Sequence, residues 1–202
     1  MKLIAVTTPY FFIEEDKIIT ALFEEGLDKL HLRKPETCAM YSERLLTLIP
    51  EKYHKKIVTH EHFYMKEEFG LMGIHLNSRN SKEPEDYEGH ISCSCHSVEE
   101  VEQKKNFYDY VFMSPVFDSI SKEGYQSQYT PEELRAAAKE GVIDKNVMAL
   151  GGITADNILE IKDIGFGGAA ILGDLWGKFD CLNDQDYLSV IKHFKQLKEI
   201  AD

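Results

Sequence analysis

Residues 146–174 read NVMALGGITADNILEIKDIGFGGAAILGD, and this stretch decides the fold. An apolar run, Asn146–Leu150, is followed at once by Gly151 and Gly152. Asn157–Ile164 then repeats apolar residues at helical spacing, and Gly168–Leu172 is apolar again. A short strand, a glycine turn, an amphipathic helix and a second short strand predict a βαβ unit with parallel strands.

Outward from this unit the same alternation fills the chain. Leu3–Thr8, Lys29–Arg33, Lys56–His60, Gly73–Asn77, His90–His96 and Tyr108–Ser114 read as further strands. Lys17–Glu25 and Tyr41–Leu48 read as helices, with a short helical stretch around Phe63–Phe69 and a closing helix at Asp186–Ile200. Gly26 stops the first helix. Ser97 with Glu100 three residues on has the spacing of a capping box. Thr130-Pro131-Glu132-Glu133 opens a helix with proline at its first position and carboxylates in its first turn. Ser78–Glu88 and Asp118–Tyr129 are polar and read as loops.

Eight strands, nearly all followed by helices, predict an all-parallel sheet. The reading is one α/β domain over residues 1–202, a single (β/α)8 TIM barrel; an open doubly wound sheet is the alternative. The barrel is preferred because polar residues fall at the C-terminal ends of several strands, where a barrel gathers its site. A dinucleotide-binding sheet would place its glycines after the first strand, and Leu3–Phe11 has none.

Composition narrows the function. The chain has 202 residues and a net charge of −12, so a nucleic-acid partner is disfavoured. No apolar run is long enough for a membrane span. The N-terminus turns polar at Thr7-Thr8-Pro9, too early for a signal peptide, so the cytoplasm is the expected location. Four cysteines, Cys38, Cys93, Cys95 and Cys181, are then expected as thiols.

The candidate chemistry lies on four segments. Gly151 and Gly152, with Gly173 after the eighth strand, occupy the two loops that commonly hold phosphate in barrels; the plainer reading is tight turns alone. Asp174 beside Gly173 would repel an anion. Ser92, Ser94 and His96 share one face of their strand and Cys93 and Cys95 the other, so the polar trio points inward. His96 there can transfer a proton near neutral pH, or simply orient the following helix. His31 and Arg33 share a face of the second strand. An inward arginine suits a bound anion, or an internal salt bridge to Glu61. Ser119, Ser121 and Lys122 could fold over an oxyanion, or belong to a solvated loop. His54 and His90 read as surface loop residues, and His60, His62 and His75 carry less weight. No histidine or carboxylate spacing marks a metal site.

These segments together, in order over nearly the whole chain, resemble the thiamine-phosphate synthase/TenI superfamily. The resemblance rests on Leu32-Arg33, Gly73-Ile74-His75-Leu76, Ser94-Cys95-His96-Ser97, Asp109-Tyr110-Val111, Pro115-Val116-Phe117 and Ala149-Leu150-Gly151-Gly152-Ile153. It implies a TIM barrel, a role in making thiamine, a phosphorylated thiazole as ligand, and a homodimer. Two activities go with it. A synthase couples hydroxymethylpyrimidine diphosphate to a thiazole phosphate with magnesium. A thiazole tautomerase shifts a proton on a carboxythiazole phosphate and needs no metal. The chain departs from the synthase pattern at both magnesium carboxylates, which become Thr59-His60 and Asn77-Ser78-Arg79-Asn80; the glutamine before the arginine is His31, and Pro35 stands in place of a lysine. The paired threonines after strand six are Ser119 and Ser121, while Lys122 is kept. The expectation is a tautomerase without a cofactor. Gly151, Gly152 and Gly173 would hold the phosphate, Arg33 the carboxylate, and His96 the travelling proton, with Ser94 or Ser119 fixing the ligand. A magnesium-dependent synthase is the alternative, and a non-catalytic regulatory barrel the second. All three require Arg33 and the Gly151–Gly152 turn to share one cavity.

Overall fold

The computed structural model describes residues 1–118, 127, 129–179 and 187–202. Eight strands close a parallel barrel in chain order: β1 Lys2–Val6, β2 Lys29–Leu32, β3 Ile57–Thr59, β4 Gly73–Leu76, β5 His90–Cys95, β6 Tyr110–Met113, β7 Val147–Leu150 and β8 Gly168–Ile171. β8 returns to β1 with Lys2 opposite Gly168 and Ala5 opposite Ile171. Each strand sits within a residue or two of its sequence reading, because an apolar run covered on both faces is a strong signal.

The surrounding helices are α1 Glu15–Glu24, α2 Ala39–Leu48, α3 Met65–Glu68, α4 Val98–Lys104, α5 Pro131–Lys139, α6 Ile158–Ile164, α7 Gly173–Trp176 and α8 Leu188–Ala201. Gly26, at φ +92°, turns the chain after α1. Thr130 and Glu133 complete a reciprocal capping box on α5. On α4 the box is only half made: Ser97 accepts from the Glu100 amide, but Glu100 reaches back to the amide of His96. No described helix separates β4 from β5, as the polar Ser78–Glu88 segment predicts. The 3-10 turn Glu51–Lys56 and the one-turn α7 are not legible in the sequence. Trp176 on α7 donates from its indole to the Val6 carbonyl at 2.7 Å, tying α7 to the C-terminal end of β1.

Alternation along the strands sorts side chains into two cores. Leu3, Ala5, Leu30, Leu32, Cys93, Cys95, Val111 and Ala169 face outward to the helices. Ile4, Val6, Tyr110, Phe112, Met148 and Ala170 fill one side of the lumen. The other side, from β2 to β5, is filled by buried His31, His60, His75 and Ser92. The cysteines thus lie under the helices as expected, and Cys38, Cys93 and Cys95 are free thiols; Cys181 lies outside the described residues. Among the described residues no helix is long and apolar enough to cross a membrane.

Candidate functional site

The C-terminal ends of the strands enclose a cavity of about 210 Å³. Arg33, Ser94, His96, Gly151, Gly152 and Gly173 all line it, so the sequence-predicted anion and proton groups share one space. His60, Asn77, Ser78, Arg79 and Ser114 line it too and were missed as site residues. Their signal was position: each follows the end of a strand, where barrels place function. Ser119, Ser121 and Lys122 lie outside the described residues.

His31 requires a correction. It points into the lumen as alternation demands, but it is 0% exposed and does not line the cavity. It lies two positions before Arg33, which places it about 6.6 Å lower along the chain. His54 and His90 are corrected as well. His54 is buried, with both ring nitrogens against backbone carbonyls: Nδ1 faces that of Phe69, and Nε2 those of Leu46 and Ile49. His90 opens β5 half-buried, with Nδ1 at 3.3 Å from Asp109.

The Arg33 guanidinium is half-buried and, among the described residues, takes no ion-pair partner. Burial, then the nearby Arg79, lower its pKa, while Glu61 opposes them. The salt bridge to Glu61 is instead made by Arg79, at 3.3 Å. Across the cavity, Gly151 and Gly152 have φ of +100° and +64°. A Cβ on Gly152 would fall 2.4 Å from the Asp118 carbonyl oxygen, so this turn needs glycine both for its dihedrals and for its packing. The amides of Gly152, Ile153 and Gly173 take no partner among the described residues. Asp174, the feared anion repeller, is turned to His193 at 2.5 Å.

His96 is exposed at the rim, with Nδ1 donating to the Ser114 carbonyl at 3.0 Å. That bond fixes the tautomer and leaves Nε2 as a lone-pair acceptor. Burial drives the imidazoles of His31 and His60 well below their ordinary pKa and that of His75 to about 3, so all three stand neutral in the lumen.

A hard cation such as magnesium wants carboxylate oxygens. The positions where the resemblance expects them hold His60 and Asn80, and no carboxylate lines the cavity among the described residues. Glu61, which follows His60, is engaged by Arg79 and by the Lys34 amide. This donor set does not fit magnesium. The ligand atoms of His31, His60 and His75 lie within 4.8 Å of one another and could meet a softer ion.

The family model of thiamine monophosphate synthase matches residues 3–175. A crystal structure of thiamine phosphate pyrophosphorylase from Bacteroides thetaiotaomicron is 73% identical, covers 100% of this chain and 98% of its own, and superposes with a TM-score of 0.94. Thiamine-phosphate synthase from Halalkalibacterium halodurans is 26% identical over 94% of each chain. The pyrophosphorylase of Pyrococcus furiosus, 20% identical with a TM-score of 0.72, covers 99% of this chain and 95% of its own and shares the fold. A barrel matched along almost its whole length, with the family's arginine and glycine turn meeting in one cavity, belongs to the thiamine monophosphate synthase family.

Proposed function

We propose that the chain binds a thiazole phosphate at the barrel mouth and isomerises it by proton transfer without magnesium. One observation carries this reading: among the described residues Arg33 has no ion-pair partner, the amides of Gly152, Ile153 and Gly173 take none, and the cavity these residues line has no carboxylate. Arg33 pairs with the ligand carboxylate through its planar fork. The amides of Gly152, Ile153 and Gly173 receive the phosphate, and Ser94 orients the ring. His96 Nε2 removes the acidic proton, its other nitrogen held by Ser114.

The test follows a carboxythiazole phosphate by proton NMR in deuterated water. Wild-type protein is expected to wash out the exchangeable proton and form the aromatic isomer. His96→Asn should lose on the order of a hundredfold or more in exchange rate while ligand affinity changes little. Exchange unaffected by that change removes His96 from the chemistry.

The second reading is the coupling reaction, and the names of the relatives favour it over the first. Protein supplied with hydroxymethylpyrimidine diphosphate, thiazole phosphate and magnesium would then yield thiamine phosphate, and a chelator would abolish it. That result would displace the isomerase as sole activity. The homodimer implied by the resemblance is proposed with either reading, through the exposed Ile13, Tyr41 and Leu48 around α1 and α2. Sedimentation at micromolar concentration tests it.

A further inference from the structure

Three side chains form a short hydrogen-bonded line that ends in the ligand cavity. The Tyr110 hydroxyl lies 2.6 Å from His31 Nε2, and His31 Nδ1 lies 2.8 Å from His60 Nε2. Tyr110 and His31 are buried in the lumen, while His60 lines the cavity. Among the described residues His60 Nδ1 has no hydrogen-bond partner, yet it is not sealed from solvent, so it opens to the cavity. The His60 amide donates to the Leu32 carbonyl at 3.0 Å, which sets His60 beside Arg33 at the ends of β3 and β2.

This line decides which nitrogen of each ring carries the hydrogen. A buried hydroxyl places its hydrogen on an acceptor, and the acceptor 2.6 Å from Tyr110 is His31 Nε2. His31 is then protonated on Nδ1 and donates to His60 Nε2. His60 therefore carries its own hydrogen on Nδ1, facing the cavity. The opposite alignment would take this acceptor away from the phenol hydrogen. Burial keeps both imidazoles uncharged, and Arg33 and Arg79 press His60 in the same direction. The His75 ring stacks on His60 at 4.2 Å, its own nitrogens 2.8 and 2.9 Å from Ser92 and Ser94. That stack fixes the plane of the His60 ring.

We propose that His60 is a second catalytic residue of the isomerisation, a neutral Nδ1–H donor to the carboxylate end of the ligand, and that His31 and Tyr110 are positioning residues that keep its hydrogen on that nitrogen. The proposal rests on the isomerase reading. His96 Nε2 takes the acidic proton next to the ligand carboxylate, and the electron pair of that C–H bond spreads onto the carboxylate held by Arg33. A donor already aimed there stabilises the charge as it develops. A neutral imidazole suits the task because its N–H polarises the ligand and stays intact. The proton on His96, or one exchanged with water, then returns to another ligand atom. The ligand loses one proton and gains one, and His60, His31 and Tyr110 end as they began.

Two measurements test it. Nitrogen-15 spectra of the ligand-free protein should show His31 and His60 neutral, each with its hydrogen on Nδ1. A hydrogen on His60 Nε2, or a charged ring, would overturn the assignment. With carboxythiazole phosphate in deuterated water, His60→Leu should lower kcat on the order of a hundredfold with little change in KM. Tyr110→Phe removes only the hydroxyl; it should move part of the His60 hydrogen to Nε2 and lower kcat about tenfold. In both variants proton exchange should fall as steeply as isomer formation, because the donor acts on the charge that proton removal creates. If Tyr110→Phe turns over at the wild-type rate, or either variant raises KM and leaves kcat alone, His60 only packs or binds; the inference then fails though the isomerase stands. If wild-type protein neither exchanges nor isomerises, the isomerase reading fails and this role falls with it.

Discussion

Two neighbouring cations just after β2 have opposite fates. Arg33 reaches the mouth without an ion-pair partner among the described residues, while Lys34 turns inward, 1% exposed, to Glu15 at 2.6 Å. Arg33→Met should weaken binding of a thiazole phosphate about tenfold to a hundredfold by calorimetry, the range of a charge-assisted hydrogen bond, with no change in melting temperature. Lys34 also donates to the Tyr10 carbonyl and lies 4.5 Å over the Phe11 ring. Glu15 has one oxygen, Oε2, buried without a partner, and burial outweighs Lys34 to push its carboxyl from about 4.5 up to about 7. Between these values the folded protein keeps a proton that the unfolded chain has released. Stability from this group therefore falls as pH rises from about 4.5 to about 7, then levels. Urea melts across that window should show the slope, and Glu15→Gln should flatten it. Lys34→Met should destabilise the protein more at pH 8, where Glu15 must stay charged without its partner or take up a proton, than at pH 5.

Among the elements, the turn after β7 is where folding and ligand capture meet. Val116 and Phe117 donate their amides to the carbonyls of Leu150 and Gly151, closing the loop after β6 onto this turn. A methyl on Gly152 would strike that loop and strain a left-handed residue at once. Gly152→Ala should destabilise by about 1–3 kcal/mol and lower phosphate affinity by more than the stability loss explains. Thermal melts with and without ligand separate the two. Capping shows how local chemistry survives into the fold: Thr130 and Glu133 do what their spacing says. Glu100 drifts one residue back to His96, which couples the start of α4 to the rim of the site.

At the scale of the whole molecule, closure depends on the two chain ends. β1 pairs with β8, and the Met1 amine donates to the Ala201 carbonyl at 2.8 Å. α8 buries Val190, Ile191, Phe194 and Leu197 against α1, α6 and β1. Four such side chains at roughly 1.5–3 kcal/mol each approach the entire stability of an ordinary domain. A chain ending before Leu188 should therefore be insoluble or unfolded by circular dichroism; a folded, soluble truncation would show that the barrel holds without α8.

The sequence by itself determined the barrel and the upper rim of its site. Short apolar runs, helical periodicity and glycine turns are local signals, and alternation alone aims Arg33, Ser94 and His96 at the mouth. Depth along a strand is not local. Only closure of the sheet put His31 below the cavity, left His60 and Arg79 within it, and brought His31, His60 and His75 together from different strands and loops. Those contacts depend on the stagger between strands, which no residue pattern within one strand records.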